Sequence, residues 1–238
     1  MRDPGPPRQL TFDLPLDPRY GREDFLVGPA NEAAYGLIEA WPDWPETVFL
    51  LTGPPGSGKS HLASIWATRA HAWTIPAAEV SAANVTHLAS NGALVIEDID
   101  RAASRDEAAL FHLLNLARER RHPVMITSAV GVDSLGLAVA DLRSRLRLAL
   151  GATILPPDEA LLRAVIVKLF VDRQLVVDLS VVEAVALRID RSLGRARAVV
   201  TELDRDALGR GRRITKPLAL AVLARLGMTD PAGDDDAE

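Results

Sequence analysis

In GPPGSGKSHL, residues 53–62, Gly53 is followed after four residues by Gly58-Lys59-Ser60, the spacing of a loop that cradles phosphate groups. Gly56, Ser57 and Gly58 let backbone N–H groups point inward at anionic oxygens. A helix starting near Lys59 and continuing through His61 adds its positive N-terminal end to the same point. Lys59 then reaches the outer phosphates, and the Ser60 hydroxyl completes the shell of a Mg²⁺ ion. Further along, ALVIEDID (93–100) runs from apolar residues into Glu97-Asp98. Nucleotide hydrolases place a Mg²⁺-side carboxylate followed by a water-activating one at such a strand end. Glu97 is one methylene longer than the aspartate usual there, so nucleotide binding is expected to survive and hydrolysis to be weak.

These residues need a sheet to hold them. TVFLL (47–51) precedes the phosphate loop, and AWTIP (72–76), ALVIE (93–97), PVMIT (123–127) and ATIL (152–155) have the composition of further strands. Helical patterns separate them. Ala33, Ala34, Leu37, Ile38 and Trp41 mark one helix, Leu62, Ile65, Trp66 and Arg69 another, and Leu110, Phe111, Leu114 and Ala117 a third, which Ser104 and Glu107 open as a capping box. Alternating strands and helices predict an α/β fold, a parallel sheet flanked by helices, with its ligand at the carboxyl ends of the strands. After Pro156-Pro157 the pattern becomes all-helical, over 158–173, 180–190, 193–208 and 215–226. Ser180 with Glu183 and Thr215 with Pro217 mark two of the starts. The expected organisation is an extended arm (1–22), an α/β nucleotide-binding domain (23–157), a small helical lid domain (158–228) and an acidic tail (229–238).

The chain has 238 residues, 48% of them hydrophobic, and no cysteine, which leaves neither a disulfide framework nor a thiolate metal site. The start MRDPGPPRQL lacks the apolar stretch of a signal peptide, and no run approaches the length of a membrane span, so a cytoplasmic protein with no membrane association is expected. A net charge of −5 argues against nucleic acid as the main partner. Residues 158–228 nevertheless hold 13 Lys and Arg against 9 Asp and Glu, while Asp230, Asp234, Asp235, Asp236 and Glu238 make the end acidic.

FLVGPAN (25–31), the phosphate loop, ALVIEDID, PVMITSA (123–129), LRSRLRLALGATILPPDEALLRAVIVKL (142–169) and RSLGRARAVVTELD (191–204) together resemble the AAA+ ATPases, and within them the central domain of the DnaA replication initiators. The resemblance covers about residues 20 to 226, and its more specific part is LRSRL running through an apolar strand into PPDEALLRA. It implies ADP or ATP, with Mg²⁺, as cofactors. Phe25 to Asn31, Val27 among them, would lie beside adenine and ribose; Lys59 and Ser60 would lie on the phosphates and metal, with Glu97 and Asp98 at the hydrolytic end. Arg145 falls where the family has an arginine finger offered to a neighbouring subunit's nucleotide, and Arg195 at the sensor of the lid. Ala129 stands where the initiators commonly carry an acidic residue, a second sign of weak hydrolysis.

The initiators continue into a helix-turn-helix DNA-binding domain, whereas this chain ends in GMTDPAGDDDAE, so no direct sequence-specific DNA binding is expected. The combination is similar to the Hda-type regulators, DnaA-related AAA+ proteins without that domain. These carry an N-terminal peptide for the DNA polymerase sliding clamp (its beta subunit), and Gln9, Leu10, Phe12 and Leu14 in the proline-flanked arm match it. An extended segment can lay Leu10 and Phe12 into an apolar pocket while Gln9 hydrogen-bonds at the rim. The resemblance implies a negative regulator of chromosomal replication initiation that stimulates ATP hydrolysis by DnaA in trans. A stand-alone AAA+ ATPase such as a helicase loader, or an adaptor with a structural nucleotide, stays open, as does the assembly of several copies.

Overall fold

The computed structural model describes residues 20–101, 105–210 and 213–228, except the side chains of 209 and 210. The arm with Gln9, Leu10, Phe12 and Leu14, Ser104 and the acidic tail lie outside the described residues. The chain divides into two compact units, Tyr20–Leu161 and one containing Leu162 onward.

In the first unit, β1 (Val48–Thr52), β2 (Trp73–Pro76), β3 (Leu94–Glu97), β4 (Val124–Ser128) and β5 (Leu150–Thr153) form a parallel sheet in the order β2-β3-β4-β1-β5. Both faces are covered, which is why the strands read as apolar runs. Val48, Leu50, Leu94, Ile96, Val124 and Ile126 pack on one face with α3 (Val85–Ser90), α4 (Glu107–Arg120) and α5 (Ala140–Arg147). Phe49, Leu51, Val95 and Met125 pack on the other with α1 (Glu32–Glu39) and α2 (Lys59–Ala70). Trp66 of α2 is wholly buried there, stacked on Trp44 at 5.2 Å. Burying each such side chain contributes about 1.5–3 kcal/mol. In α1 the exposed Ala33 departs from the expected apolar face, whereas Ala34 and Ile38 are buried.

Two helix starts differ from the capping boxes in the sequence. Asp106 is the N-cap of α4, its Oδ1 accepting from the Ala109 N–H at 2.9 Å. Glu107 is not free to reach back, because it binds Arg105 and accepts from the Val139 N–H at 2.7 Å. In the second unit, α6 (Glu159–Asp172) from Leu162 onward, α7 (Leu179–Ala186), α8 (Leu193–Arg210) and α9 (Lys216–Arg225) bury Ile166, Phe170, Val181, Val185, Val199, Leu203 and Val222 among themselves. Here Asp178, not Ser180, precedes α7, and Glu183 pairs with Arg163 at 3.0 Å. Thr215 is the N-cap of α9, with proline in its first turn.

Candidate nucleotide site

The phosphate loop leaves the carboxyl end of β1 and turns into α2. Gly53, Gly56 and Gly58 have φ of +154°, +75° and +106°, conformations a side chain rarely adopts. At Gly53 a Cβ would also stand 2.7 Å from the Ile154 carbonyl oxygen and 2.9 Å from Ser57 Oγ. Ser57 Oγ is buried without a hydrogen-bond partner, and Lys59, only 7% exposed, bonds its Nζ to the loop's own carbonyls, Gly53 at 2.6 Å and Pro54 at 3.0 Å. Burial pulls the Lys59 ammonium below the ordinary lysine range, an effect that the Asp100 and Asp98 carboxylates partly oppose. A tightly curved loop with an unpartnered hydroxyl and a buried cation fits a phosphate chain. Ser60, exposed at the second position of α2, is free to face a metal bound there.

Beside the loop, a Cβ on Gly58 would touch Phe25 at 3.4 Å, which brings the 25–31 segment against the phosphate loop. Asn31 shapes that segment: its Oδ1 accepts from the Gly28 N–H at 2.9 Å and its Nδ2 donates to the Leu26 carbonyl at 3.0 Å. Both ends of a 3%-exposed amide therefore bond the backbone, and Asn31 sets the shape of the loop. Val27 and Pro29 are the exposed residues of the stretch. His61 works similarly, bonding the Gly21 carbonyl at 2.9 Å and meeting Tyr20 and Phe25 edge-on. It tethers the incoming chain to α2.

Glu97 ends β3, half-buried, and Asp98 follows with φ of 55°. The Asp98 N–H donates to Thr127 Oγ1 at 3.0 Å, the Ile99 N–H to the Thr127 carbonyl at 3.1 Å, and the Ala129 N–H to Asp100 Oδ1 at 2.7 Å. Acids at 98 and 100 are thus fastened to the end of β4, on the side where their charge acts on Lys59. Asp98 also faces Arg101, at 3.6 Å. Sequence reasoning passed over Asp100, although it is the third acid of EDID, and Thr127, whose hydroxyl interrupts an apolar run.

Arg145 lies in the last turn of α5, half-buried, with Nη2 donating to Asn115 Oδ1 of α4 at 2.7 Å. Its neighbour Arg147 binds the Asp133 carboxylate through two nitrogens. Arg195, in the second unit, is ion-paired with Asp190, and its N–H donates to Ser192 Oγ at 3.3 Å. No group of three or more histidine and acidic side chains placed to hold a metal occurs among the described residues. None of their helices is long and apolar enough to cross a membrane.

No family model matches the chain. In sequence it is 27% identical, over 232 residues, to the chromosomal replication initiator protein DnaA of Thermomicrobium roseum, an alignment spanning 87% of this chain and 50% of that protein. The chain thus spans about half the length of this relative. In structure it matches domain III of Thermotoga maritima DnaA with a TM-score of 0.78 and 22% identity, covering 89% of this chain and 98% of that one. AMPPCP-bound DnaA from Aquifex aeolicus matches at 0.68 and 19% identity, covering 83% and 69%. The Holliday junction branch migration motor RuvB of Thermotoga maritima matches at 0.67 and 21%, covering 88% and 73%. The sheet flanked by helices is therefore the α/β AAA+ fold that DnaA domain III and RuvB share.

Proposed function

We propose that this chain is an adenine-nucleotide-binding, Hda-type regulator of chromosomal replication initiation, which binds the sliding clamp through Gln9, Leu10, Phe12 and Leu14 and promotes ATP hydrolysis by DnaA in trans. ADP or ATP would lie on Gly56, Ser57, Gly58, Lys59 and Ser60, beside Val27 and the segment that Asn31 and His61 shape. Arg195 would serve as its sensor. Ser60 and Glu97 are the residues that would hold Mg²⁺, which would offset the charge of the phosphate oxygens. Such work belongs to the cytoplasm.

The observation that carries this reading is the state of Arg145. It is held by a neutral side chain and pairs with no carboxylate among the described residues, whereas Arg147 is matched by Asp133. A cation supplied by a neighbour stabilises charge on transferring phosphoryl oxygens, raising rates by roughly 10³ to 10⁵ in related hydrolases. The acids at the chain's own site support a role in trans. The candidate water-activating Asp98 sits in a left-handed turn opposite Arg101, which draws on its charge.

The test is DnaA ATP turnover with this chain and DNA-loaded clamp, each alone and together. Stimulation only with both present, lost in Arg145→Ala and in the double variant Gln9→Ala, Leu10→Ala, is the expected result. A second reading, a stand-alone ATPase such as a helicase loader, is favoured by the bonds that fasten Asp98 and Asp100 to β4. Steady turnover by the isolated chain, abolished by Asp98→Asn, would establish that reading instead.

A further inference from the structure

Building on the reading of Arg145 as a residue acting on a neighbouring protein's nucleotide, we infer that Asn115 is its positioning residue. Asn115 is a neutral acceptor that orients the guanidinium and leaves its charge unspent. The placement begins at the far end of the same two helices. Arg105 and Glu107, with side chains only 12% and 14% exposed, form a pair at 3.4 Å. Arg105 Nη1 donates to the Ile99 carbonyl at 3.2 Å, and Glu107 accepts from the Val139 N–H immediately before α5. Asn115, two turns further along α4, meets the last turn of α5 through Arg145. The helices run in the same direction and α5 is held to α4 near both of its ends, so α5 cannot roll without breaking a part-buried contact. The first of those contacts leads back to the loop after β3, which carries Asp98 and Asp100.

Three arginines alternate along α5, and successive members point to different sides of the helix because each two-residue step turns it about 200°. Arg147 is gripped by a carboxylate. Among the described residues the Arg143 side chain makes no hydrogen bond or ion pair. Arg145 alone has one fixed bond and an unmatched charge. A guanidinium has five N–H donors in a planar fork, so one bond at Nη2 fixes the plane and leaves donors for two phosphate oxygens. An aspartate at 115 would fix the plane equally well and cancel the charge. An alanine would keep the charge and release the plane.

That contrast separates positioning from packing. A contact that only holds α4 to α5 gains from Asn115→Asp, which replaces a neutral bond with an ion pair, and loses from Asn115→Ala. A positioning contact loses function in both, without matching losses of stability. The experiment measures initiator ATPase stimulated by the full chain with DNA-loaded clamp, for wild type, Asn115→Ala, Asn115→Asp and Arg145→Ala. Thermal melts and partner titrations are run in parallel. We expect Asn115→Asp to melt no lower than wild type and to bind with the same half-saturating concentration, while its saturating stimulated rate falls roughly 10- to 100-fold, the scale of a misplaced catalytic group. Asn115→Ala should fall about tenfold on the same scale. Wild-type stimulation by Asn115→Asp, with Arg145→Ala inactive, overturns the assignment to Asn115 and leaves the function standing. Full stimulation by Arg145→Ala overturns both.

Discussion

Replacing Lys59 by methionine isolates what the phosphate loop is for. The ammonium is buried and makes two bonds, 2.6 and 3.0 Å, to carbonyls of its own loop. Hydrogen bonds to a charged group contribute about 1.5–3 kcal/mol each, giving about 3–6 kcal/mol for the pair. Desolvating the cation costs several kcal/mol in the opposite direction, and methionine keeps most of the apolar stem. The two effects nearly cancel, so ligand-free Lys59→Met should unfold within about 2 kcal/mol of wild type. Binding is another matter. A ligand at one hundred times its dissociation constant stabilises the native state by about 2.7 kcal/mol, or roughly 5–10 °C in Tm for a chain of this size. The assay is thermal unfolding of both proteins with and without ADP or ATP at that wild-type excess. Wild type should shift upward and Lys59→Met should hardly move. An equal ligand shift in both would refute the reasoning that Lys59 grips phosphate, and collapse of the ligand-free variant would show that the lysine is chiefly a brace for the loop.

Gly53→Ala should cost roughly 1–3 kcal/mol through backbone strain and abolish nucleotide-linked stabilisation, as measured by melts with ADP, because its Cβ meets the fixed Ile154 carbonyl at 2.7 Å. Asp106→Ala removes the cap of α4 and should lower stability by about 1 kcal/mol in chemical denaturation, with nucleotide binding unchanged. Alkaline pH should stabilise the ligand-free protein through Lys59. Its folded pKa is lowered by burial, so between that pKa and the ordinary 10.5 the unfolded chain binds more protons and stability rises with pH. Unfolding free energies over this range should rise more steeply for wild type than for Lys59→Met, and parallel slopes would contradict the assigned cause.

What the sequence disclosed follows the range of the forces involved. The phosphate loop was legible because its chemistry demands glycine, lysine and serine at fixed offsets, and the strands were legible because a sheet covered on both faces needs continuous apolar runs such as VFLLT. The capping boxes at Ser104 and Ser180 failed for a tertiary reason. Glu107 is taken by Arg105 and Val139, and Glu183 by Arg163, contacts that outweigh a local bond. Likewise, Asn31 and His61, which sequence placed at the nucleotide, also bond the backbone at Leu26, Gly28 and Gly21, contacts that motif spacing does not reveal. The three arginines of LRSRLR look alike in one dimension. Asp133 and Asn115, which make them different, lie 14 and 30 residues away.

The loop after β3 shows why such long-range bonds matter to the chemistry. Asp98 at φ of 55° occupies a conformation that costs an L-residue about 1–2 kcal/mol, and nothing local to EDID requires it. Three bonds, one each joining Asp98, Ile99 and Asp100 to Thr127 or Ala129, hold the loop there. Thr127 is wholly buried, so Thr127→Val keeps the shape of the side chain but strands the Asp98 N–H, at a cost of about 1–3 kcal/mol unless the loop relaxes. Relaxation is the easier course, because it also releases the strain at Asp98. The variant should therefore lose little global stability and bind ADP normally, while amide exchange at residues 98–101 speeds up and any slow turnover by the chain itself falls. Unchanged exchange in that loop, measured with the nucleotide-bound protein, would mean that the Thr127 hydroxyl is not what holds the acids in place.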